Sequence, residues 1–552
     1  MARLARPLDE LKPCYDVVIV GSGYGGGVAA SRLARAGKRV AVLERGREVV
    51  TGDFPSRFPD FRSEFHVRAD NWRMGSETAL FHMRLGRDMH VLVGSGLGGG
   101  SLVNAGVALR PDPRVFADPV WPEAVRQDGT LDEGYARAEQ WLRPARDRKA
   151  GDLTKMQRLG ECAQGLGAAP IQTPVAISFE DTVNAAGVAQ PACTRCGDCC
   201  AGCNVGAKNT VAMTYLPDAA RHGAELFSEI AVRRVAKGRD GLWELEARRS
   251  NAGREVDRAF VVKAAVVILA AGTLGTTEIL LRSREHGLAL SDRLGERFTA
   301  NGDTIAFGYG GKHTVNAVGV GHPSKVPDLT VGAAVSGHLE LRDERDLMRS
   351  LTLEEGVLPS ALAPMLPVLF VPNGRLLGAL QSLVNGVYKG PFSRLQTFFA
   401  VGHDDARGRF SLVEDQISLS WPGAGEDPVY GRIDAALGEL AARAGGDYVK
   451  NPLAGTVMGQ QPSTAHPLGG CGMGEDRHNG VVDHKCRVFD GAAEGSADVH
   501  AGLYVIDGSV MARSLGVNPL LTIAALAERA MIAFAVDHNA GFDVEPVMSK
   551  AA

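Results

Sequence analysis

At 552 residues the chain exceeds one ordinary hydrophobic core, and about 150 residues per domain gives three to four units. Hydrophobic residues make up 45% and charged residues 22%, which excludes disordered, collagen-like and coiled-coil classes. A net charge of −4 supplies no field for nucleic acid or an anionic membrane. The 68 glycines well exceed an average usage of about 7%, and glycine serves where backbone turns tightly or approaches a ligand.

The N-terminal residues hold no apolar run of signal-peptide length, and Ser549-Lys550-Ala551-Ala552 is no recognised address, so a cytoplasmic location is expected. The uncharged stretch 356–374 is interrupted by Pro359, Pro364, Pro367 and Pro372, so no transmembrane segment is expected there.

In chain order, Tyr15-Asp16-Val17-Val18-Ile19-Val20 reads as a buried parallel strand, followed by a glycine-rich turn and a helix over 28–36 closed by Gly37. A second strand over 39–43 ends at Glu44. Further parallel-strand candidates lie at 265–272 and 503–508, so one nucleotide-type domain is assembled from distant segments. Between them, 242–248 before a Ser250–Gly253 turn, and 409–412 with 417–421, alternate as antiparallel strands do. Asn518-Pro519 opens a last helix running to about Asp537, with asparagine as N-cap and proline at N1. The expected fold class is α/β with an α+β second domain: a discontinuous Rossmann-like domain plus a substrate domain on an antiparallel sheet. The expected division is 14–110, 191–305 and 455–552 for the nucleotide domain, 111–190 for a substrate-domain or linker segment, and 306–454 for the substrate domain.

Gly21-x-Gly23-x-x-Gly26 stands between strand and helix, with Glu44 18 positions beyond the third glycine. Gly21 makes the tight turn, Gly23 admits a pyrophosphate, Gly26 allows close helix–strand packing, and Glu44 accepts from ribose hydroxyls. The pattern by itself does not choose between NAD and FAD. A second run, 94–100, is suited to lying flat against a planar ring or a pyrophosphate.

The segments Gly94-Ser95-Gly96-Leu97-Gly98-Gly99-Gly100-Ser101-Leu102-Val103-Asn104, 271–281, His466-Pro467-Leu468-Gly469-Gly470, and Asp507-Gly508-Ser509 through 516–523 occur in an order that resembles the glucose–methanol–choline (GMC) family of FAD-dependent oxidoreductases, cholesterol-oxidase-like branch. Ser95 and Arg284 depart from the usual signatures. The resemblance implies FAD held by Gly21, Gly23, Gly26, Glu44, Gly98, Gly99, Asn104, Asp507, Gly508 and Asn518. It also implies oxidation of an alcohol by hydride transfer to flavin N5, with His466 beside the flavin and Asn518 near the substrate oxygen. Histidine titrates near neutral pH, Pro467 extends the backbone before it, and the two glycines after it are read as admitting the cofactor. The branch also implies an acidic residue on the substrate side. Of Glu354 and Glu355, Glu355 is preferred because it precedes Gly356. The apolar stretch 357–372, with Leu376, Leu377, Leu380, Leu383 and Val384 at helical spacing, reads either as an entrance for a bulky steroid-like alcohol or as core plus an oligomer contact.

Cys193-x-x-Cys196-x-x-Cys199-x-x-x-Cys203 reproduces the spacing of a bacterial ferredoxin run, with Cys200 as an extra thiol and Asn204 where proline usually follows. Iron–sulfur, structural zinc and plain thiols all stay open. With iron, electrons would leave through the cluster to a protein or quinone acceptor, making a dehydrogenase for a non-steroid alcohol an alternative. A non-catalytic flavoprotein electron carrier is a further alternative.

Overall fold

The computed structural model describes residues 3–70, 72–250, 259–370, 386–450, 459–543 and 545–546. The expected turn residues 251–253, the leucines and valine at 376–384, and the boundary near 454 lie outside these.

The β-branched run Cys14–Val20 forms the centre of an eight-stranded sheet. It pairs in parallel with Val40–Leu43 on one side and Phe260–Leu269 on the other. Glu225–Phe227 extends the parallel edge, and Val499–Val505 joins Phe260–Leu269 in parallel beside the antiparallel Trp243–Arg249. The parallel strands Cys14–Val20 and Val40–Leu43 are almost continuously apolar where the helix Tyr24–Arg35 packs on them, and Leu520–Asp537 packs in turn on that helix. Arg32 and Glu528 lie in that buried seam, both side chains at 0% exposure and 2.5 Å apart. The Arg32 guanidinium also stacks on Trp141, 4.6 Å from its ring centre.

A six-stranded antiparallel sheet holds Asp447–Val449, Thr304–Tyr309, Gln396–Gly402, Leu351–Gly356, Gly337–Leu341 and Ile171–Gln172, in that spatial order. Its centre, Leu351–Gly356, is buried at every position. Its two adjacent glutamates therefore point to opposite faces, and both are out of water. A five-stranded sheet pairs Ser463–Thr464 with His90–Gly94. That pairing sets the residues before His466 beside the strand that enters the second glycine run. The hairpin Arg409–Val413 with Gln416–Ser420 forms as the alternation implies.

Two local expectations change. The last helix spans Leu520–Asp537 with Pro519 as its N-cap, and the Asn518 side chain caps nothing. The proline-punctuated stretch folds as two short helical pieces, Ser360–Met365 and Leu366–Leu369. Leu366 and Phe370 pack into a cluster with Phe307, Tyr309 and Phe392, while Val368 is 52% exposed. Among the described residues no helix is long and apolar enough to cross a membrane.

Candidate active site

Gly21, Gly25 and Gly26 hold helix and strand together. A Cβ at Gly21 would lie 2.3 Å from Ala270 O, and one at Gly25 would lie 1.6 Å from Ile506 O. Gly23 differs: a Cβ there would find nothing nearer than Gly99 Cα at 4.0 Å. This is the open position a pyrophosphate needs at a helix start. Gly99, at φ +57°, closes the cradle from the second run, since its own Cβ would fall 2.7 Å from Gly23 Cα. Ser22 ties the two runs, its hydroxyl donating to Glu44 and accepting from Gly98 N. Glu44 accepts from Ser22 N, Ser22 Oγ and Gly46 N, which leaves a lone pair of Oε1 for a ribose hydroxyl. Ser95 Oγ is buried in this cradle without a partner. An open glycine face, a buried acid and an unpaired hydroxyl fit FAD.

Three expected cofactor residues act through neighbours. Asn104 donates to Tyr24 Oη and accepts from Gly106 N. Asp507 accepts from Gly272 N, Thr276 Oγ1 and Ser509, so its carboxylate ties the helix after the third strand to the Gly508 turn. Gly508 lies against Leu468 and Thr273.

Toward the second sheet, Glu354 is 1% exposed; its Oε2 accepts from Asn518 Nδ2 at 3.5 Å and its Oε1 has no partner among the described residues. Burial pushes its pKa up to about 8, and the His466 ring and the Asn518 amide hold it back from going further. Asn518 Oδ1 is also buried without a partner. His466 Nδ1 stands 3.3 Å from Asp303 Oδ2, close enough for an ion pair but not aligned as a hydrogen bond. Burial, the largest single influence, disfavours the imidazolium, but the charge and the nearby carboxylate oxygen of Asp303 together with the charge of Glu354 outweigh it, so the His466 pKa is raised. Asp303, His466, Glu354 and Asn518 thus form one electrostatic unit with, among the described residues, two unpaired oxygens.

Glu355 points the other way. It accepts from Ser336 N at 2.5 Å and Gly337 N at 3.1 Å and pairs with the buried Lys155 at 2.8 Å. The acid facing His466 and Asn518 is therefore Glu354, and the preference for Glu355 is corrected. The glycines after His466 are corrected too. A Cβ at Gly469 would meet Arg297 O at 2.0 Å and one at Gly470 would meet Thr277 Oγ1 at 2.5 Å, so both serve internal packing.

Sequence reading missed the groups that hold these side chains. Asn301, at φ +57°, accepts from Leu515 N and Gly516 N and donates to Val517 O, clamping the loop that presents Asn518. Thr352 donates to Gly516 O from the same strand as Glu354. Asp303 accepts from Ala465 N and Thr464 Oγ1 as well as facing His466. The one local signal was Asn301-Gly302-Asp303, an ordinary turn sequence.

Cys193, Cys196, Cys199 and Cys203 are free; burial raises the thiol pKa of Cys193, Cys196 and Cys199, and the neighbouring sulfurs add to it. Arg195, at φ +59°, donates its N–H to Cys193 Sγ at 3.3 Å; the Asp198 backbone donates to Cys196; and Ala334 N donates to Cys199 Sγ at 3.4 Å. Among the described residues no three His, Cys, Asp or Glu groups converge closely enough to hold a single metal ion. Asn204 clamps the 52–54 loop, accepting from Gly52 N and Phe54 N.

A discontinuous dinucleotide cradle facing an antiparallel sheet with a buried acid, histidine and asparagine defines a flavin-dependent alcohol oxidoreductase. Residues 15–300 and 449–527 match the two sequence models described as GMC oxidoreductase, and the chain belongs to this FAD-binding family. It is similar to a cholesterol oxidase of Mycobacterium tuberculosis, 29% identical over 94% of this chain and 91% of that one. A cholesterol oxidase of Acinetobacter baumannii is 30% identical over 95% of each chain. A long-chain-alcohol oxidase of Arabidopsis thaliana is 24% identical over 93% of this chain and 66% of its own. Among solved structures, pyridoxine 4-oxidase from Mesorbium loti shares the fold, with a TM-score of 0.59 and 18% identity, covering 94% of this chain and 99% of that one. The chain is an alcohol oxidoreductase, and the reading as a non-catalytic electron carrier falls.

Proposed function

We propose that the chain oxidises a hydrophobic, steroid-like alcohol to its ketone or aldehyde, with Glu354 taking the hydroxyl proton. The observation that carries this is a buried carboxylate with one oxygen unpaired, next to an asparagine whose oxygen is also unpaired. FAD, held at Gly23, Glu44 and Gly99, supplies the two-electron acceptor for the carbon-bound hydride. Asn518 and His466 orient the substrate oxygen. The His466 ring, whose pKa Asp303 and Glu354 raise against burial, stabilises in its protonated form the negative charge developing on that oxygen. Glu354, with a pKa near that of a working base, receives the proton as the C–H bond breaks. The names of the cholesterol and long-chain-alcohol oxidases support a hydrophobic substrate. Anaerobic mixing with a panel of sterols and long-chain alcohols tests this: bleaching of the flavin band by sterols is expected, and bleaching only by non-sterol alcohols would refute the steroid part.

A second reading concerns the electron acceptor. The backbone N–H donors to Cys193, Cys196 and Cys199 favour a thiolate-bound iron–sulfur cluster, since such bonds stabilise sulfur ligands. In a four-iron cluster each cysteine would bind its own iron, so thiolates need not converge on one point as they must around zinc. Two electrons per alcohol would then leave singly through the cluster to an external protein or quinone, the protons passing to water. Iron and acid-labile sulfide measured per flavin in anaerobically purified protein test it, and iron-free, flavin-replete protein would remove it.

A further inference from the structure

Glu354 stands in Leu351–Gly356, and the register of the antiparallel sheet fixes which side chains share its face. Phe399 of Gln396–Gly402 lies directly opposite Glu354, and Ile305 of Thr304–Tyr309 lies directly opposite Phe399. Directly paired residues project from the same side of a sheet, so Ile305, Phe399 and Glu354 form one row across three strands. In these three strands every position is buried except Ile305, which is 43% exposed, and Phe399, which is half-buried. The next row on this face is closed, because Phe307 and Tyr309 pack against the Phe370 ring. The opposite face is closed by the helix Pro428–Arg443: a Cβ at Gly308 would lie 3.5 Å from Ala441 Cβ. The centre of the sheet is therefore open at one place, where a branched aliphatic and an aromatic residue lie beside the carboxylate with the unpaired oxygen.

Gly356 shapes that opening. It shares the Glu354 face, and a Cβ there would lie 2.8 Å from Cε2, 2.9 Å from Cζ and 3.1 Å from Cδ2 of Phe399. The Phe399 ring thus leans along the strand over Gly356 and away from its own pair partner, which leaves the space in front of Glu354 clear. Resting on the proposed oxidation of a hydrophobic alcohol, we infer that Phe399 and Ile305 are the specificity-determining residues for the body of that alcohol, and that Gly356 makes room for a ring at the carbinol carbon. Neighbouring strands lie about 4.8 Å apart, so a hydroxyl held at Glu354 has about 10 Å of apolar wall beside it before the row ends at Ile305. A flat, fused-ring secondary alcohol covers this wall with one face, whereas a linear chain covers less of it. Such contacts hold substrate and transition state alike. Their loss therefore shows in the half-saturating concentration rather than in the limiting rate of flavin reduction.

The test follows anaerobic flavin reduction by a sterol and by a linear long-chain alcohol in wild type, Ile305→Ser and Gly356→Ala, with bound flavin and melting temperature recorded for each. Ile305 is exposed, and a Cβ at Gly356 meets only the end of a side chain, so both variants should fold with flavin bound. Ile305→Ser should raise the half-saturating sterol concentration about tenfold while the limiting rate stays near wild type. Gly356→Ala moves the Phe399 ring off its seat and into the space before Glu354, because the buried Phe307 row blocks the other direction. It should cut the preference for sterol over linear alcohol about tenfold. Wild-type half-saturation for both alcohols in both variants would overturn the assignment while leaving the proposed function in place. Wild-type flavin bleached by the linear alcohol alone would overturn the fused-ring class. If neither alcohol bleaches wild-type flavin, the proposed function itself fails, and the assignment of Phe399 and Ile305 with it.

Discussion

Replacing Glu354 by glutamine separates the catalytic from the structural role of a buried acid. The side chain keeps its shape and its neighbour Asn518 but can no longer accept a proton. A positioned general base contributes about 10²–10⁴-fold, or about 3–5 kcal/mol of barrier, so flavin reduction should slow by that factor. The stability effect has the opposite sign. Glu354 ionises near 4.5 when unfolded but near about 8 in the fold, so the native state holds a proton that the unfolded chain releases. Stability from this group therefore falls as pH rises from 4.5 towards 8, a penalty of about 3 kcal/mol at pH 7 at about 1.4 kcal/mol per unit. Glu354→Gln removes the penalty and should melt higher at pH 7 while being nearly inactive. Below about pH 8 wild-type flavin reduction should rise about tenfold per unit and then level off, and the variant should lack that rise. Stopped-flow reduction under nitrogen and thermal unfolding across pH measure both effects. A variant that reduces flavin at the wild-type rate, or that is less stable at pH 7, would refute the reasoning.

Glu355→Gln should do the reverse: it leaves Lys155 buried without its charge partner, costing about 3 kcal/mol or more, while the flavin retains its pH-dependent reduction; chemical denaturation beside stopped-flow mixing checks the contrast. Asp303→Asn removes the charge that holds the His466 pKa up, so the His466 imidazole resonance should titrate at lower pH by NMR and substrate reduction of flavin should slow. Glu528→Ala strands the buried Arg32 guanidinium and should lower stability by about 3–5 kcal/mol, read as a fall in melting temperature with flavin spectrum unchanged in the folded fraction. Gly99→Ala places a methyl 2.7 Å from Gly23 Cα at a left-handed φ, and the purified variant should have lost most of its bound flavin by absorbance.

Local chemistry made the cofactor half of the protein legible. A β-branched run, three spaced glycines, a helix and an acid at the next strand end are all neighbours in the chain. Their geometry is fixed by the short turn between them, so Gly21, Gly23, Gly26 and Glu44 could be given roles directly. The motif around His466 is likewise contiguous, whereas the spacing of the cysteine run left iron–sulfur, zinc and plain thiols open. The substrate half was not legible in this way. Glu354 and Glu355 are equivalent in the sequence, and which of them meets Asn518 depends on the face that Leu351–Gly356 turns to its neighbours. The side chain of Asn518 reads as a helix cap until a carboxylate from another sheet is brought to it.

The sequence by itself determined the cofactor fold, the family and the set of reactive residue types. Only the tertiary structure decided which acid faces Asn518 and what raises the His466 pKa. Glu354 and His466 gain their properties from burial and from partners far away in the chain. Electrostatic energy depends on distance and dielectric, and neither is written in the order of residues.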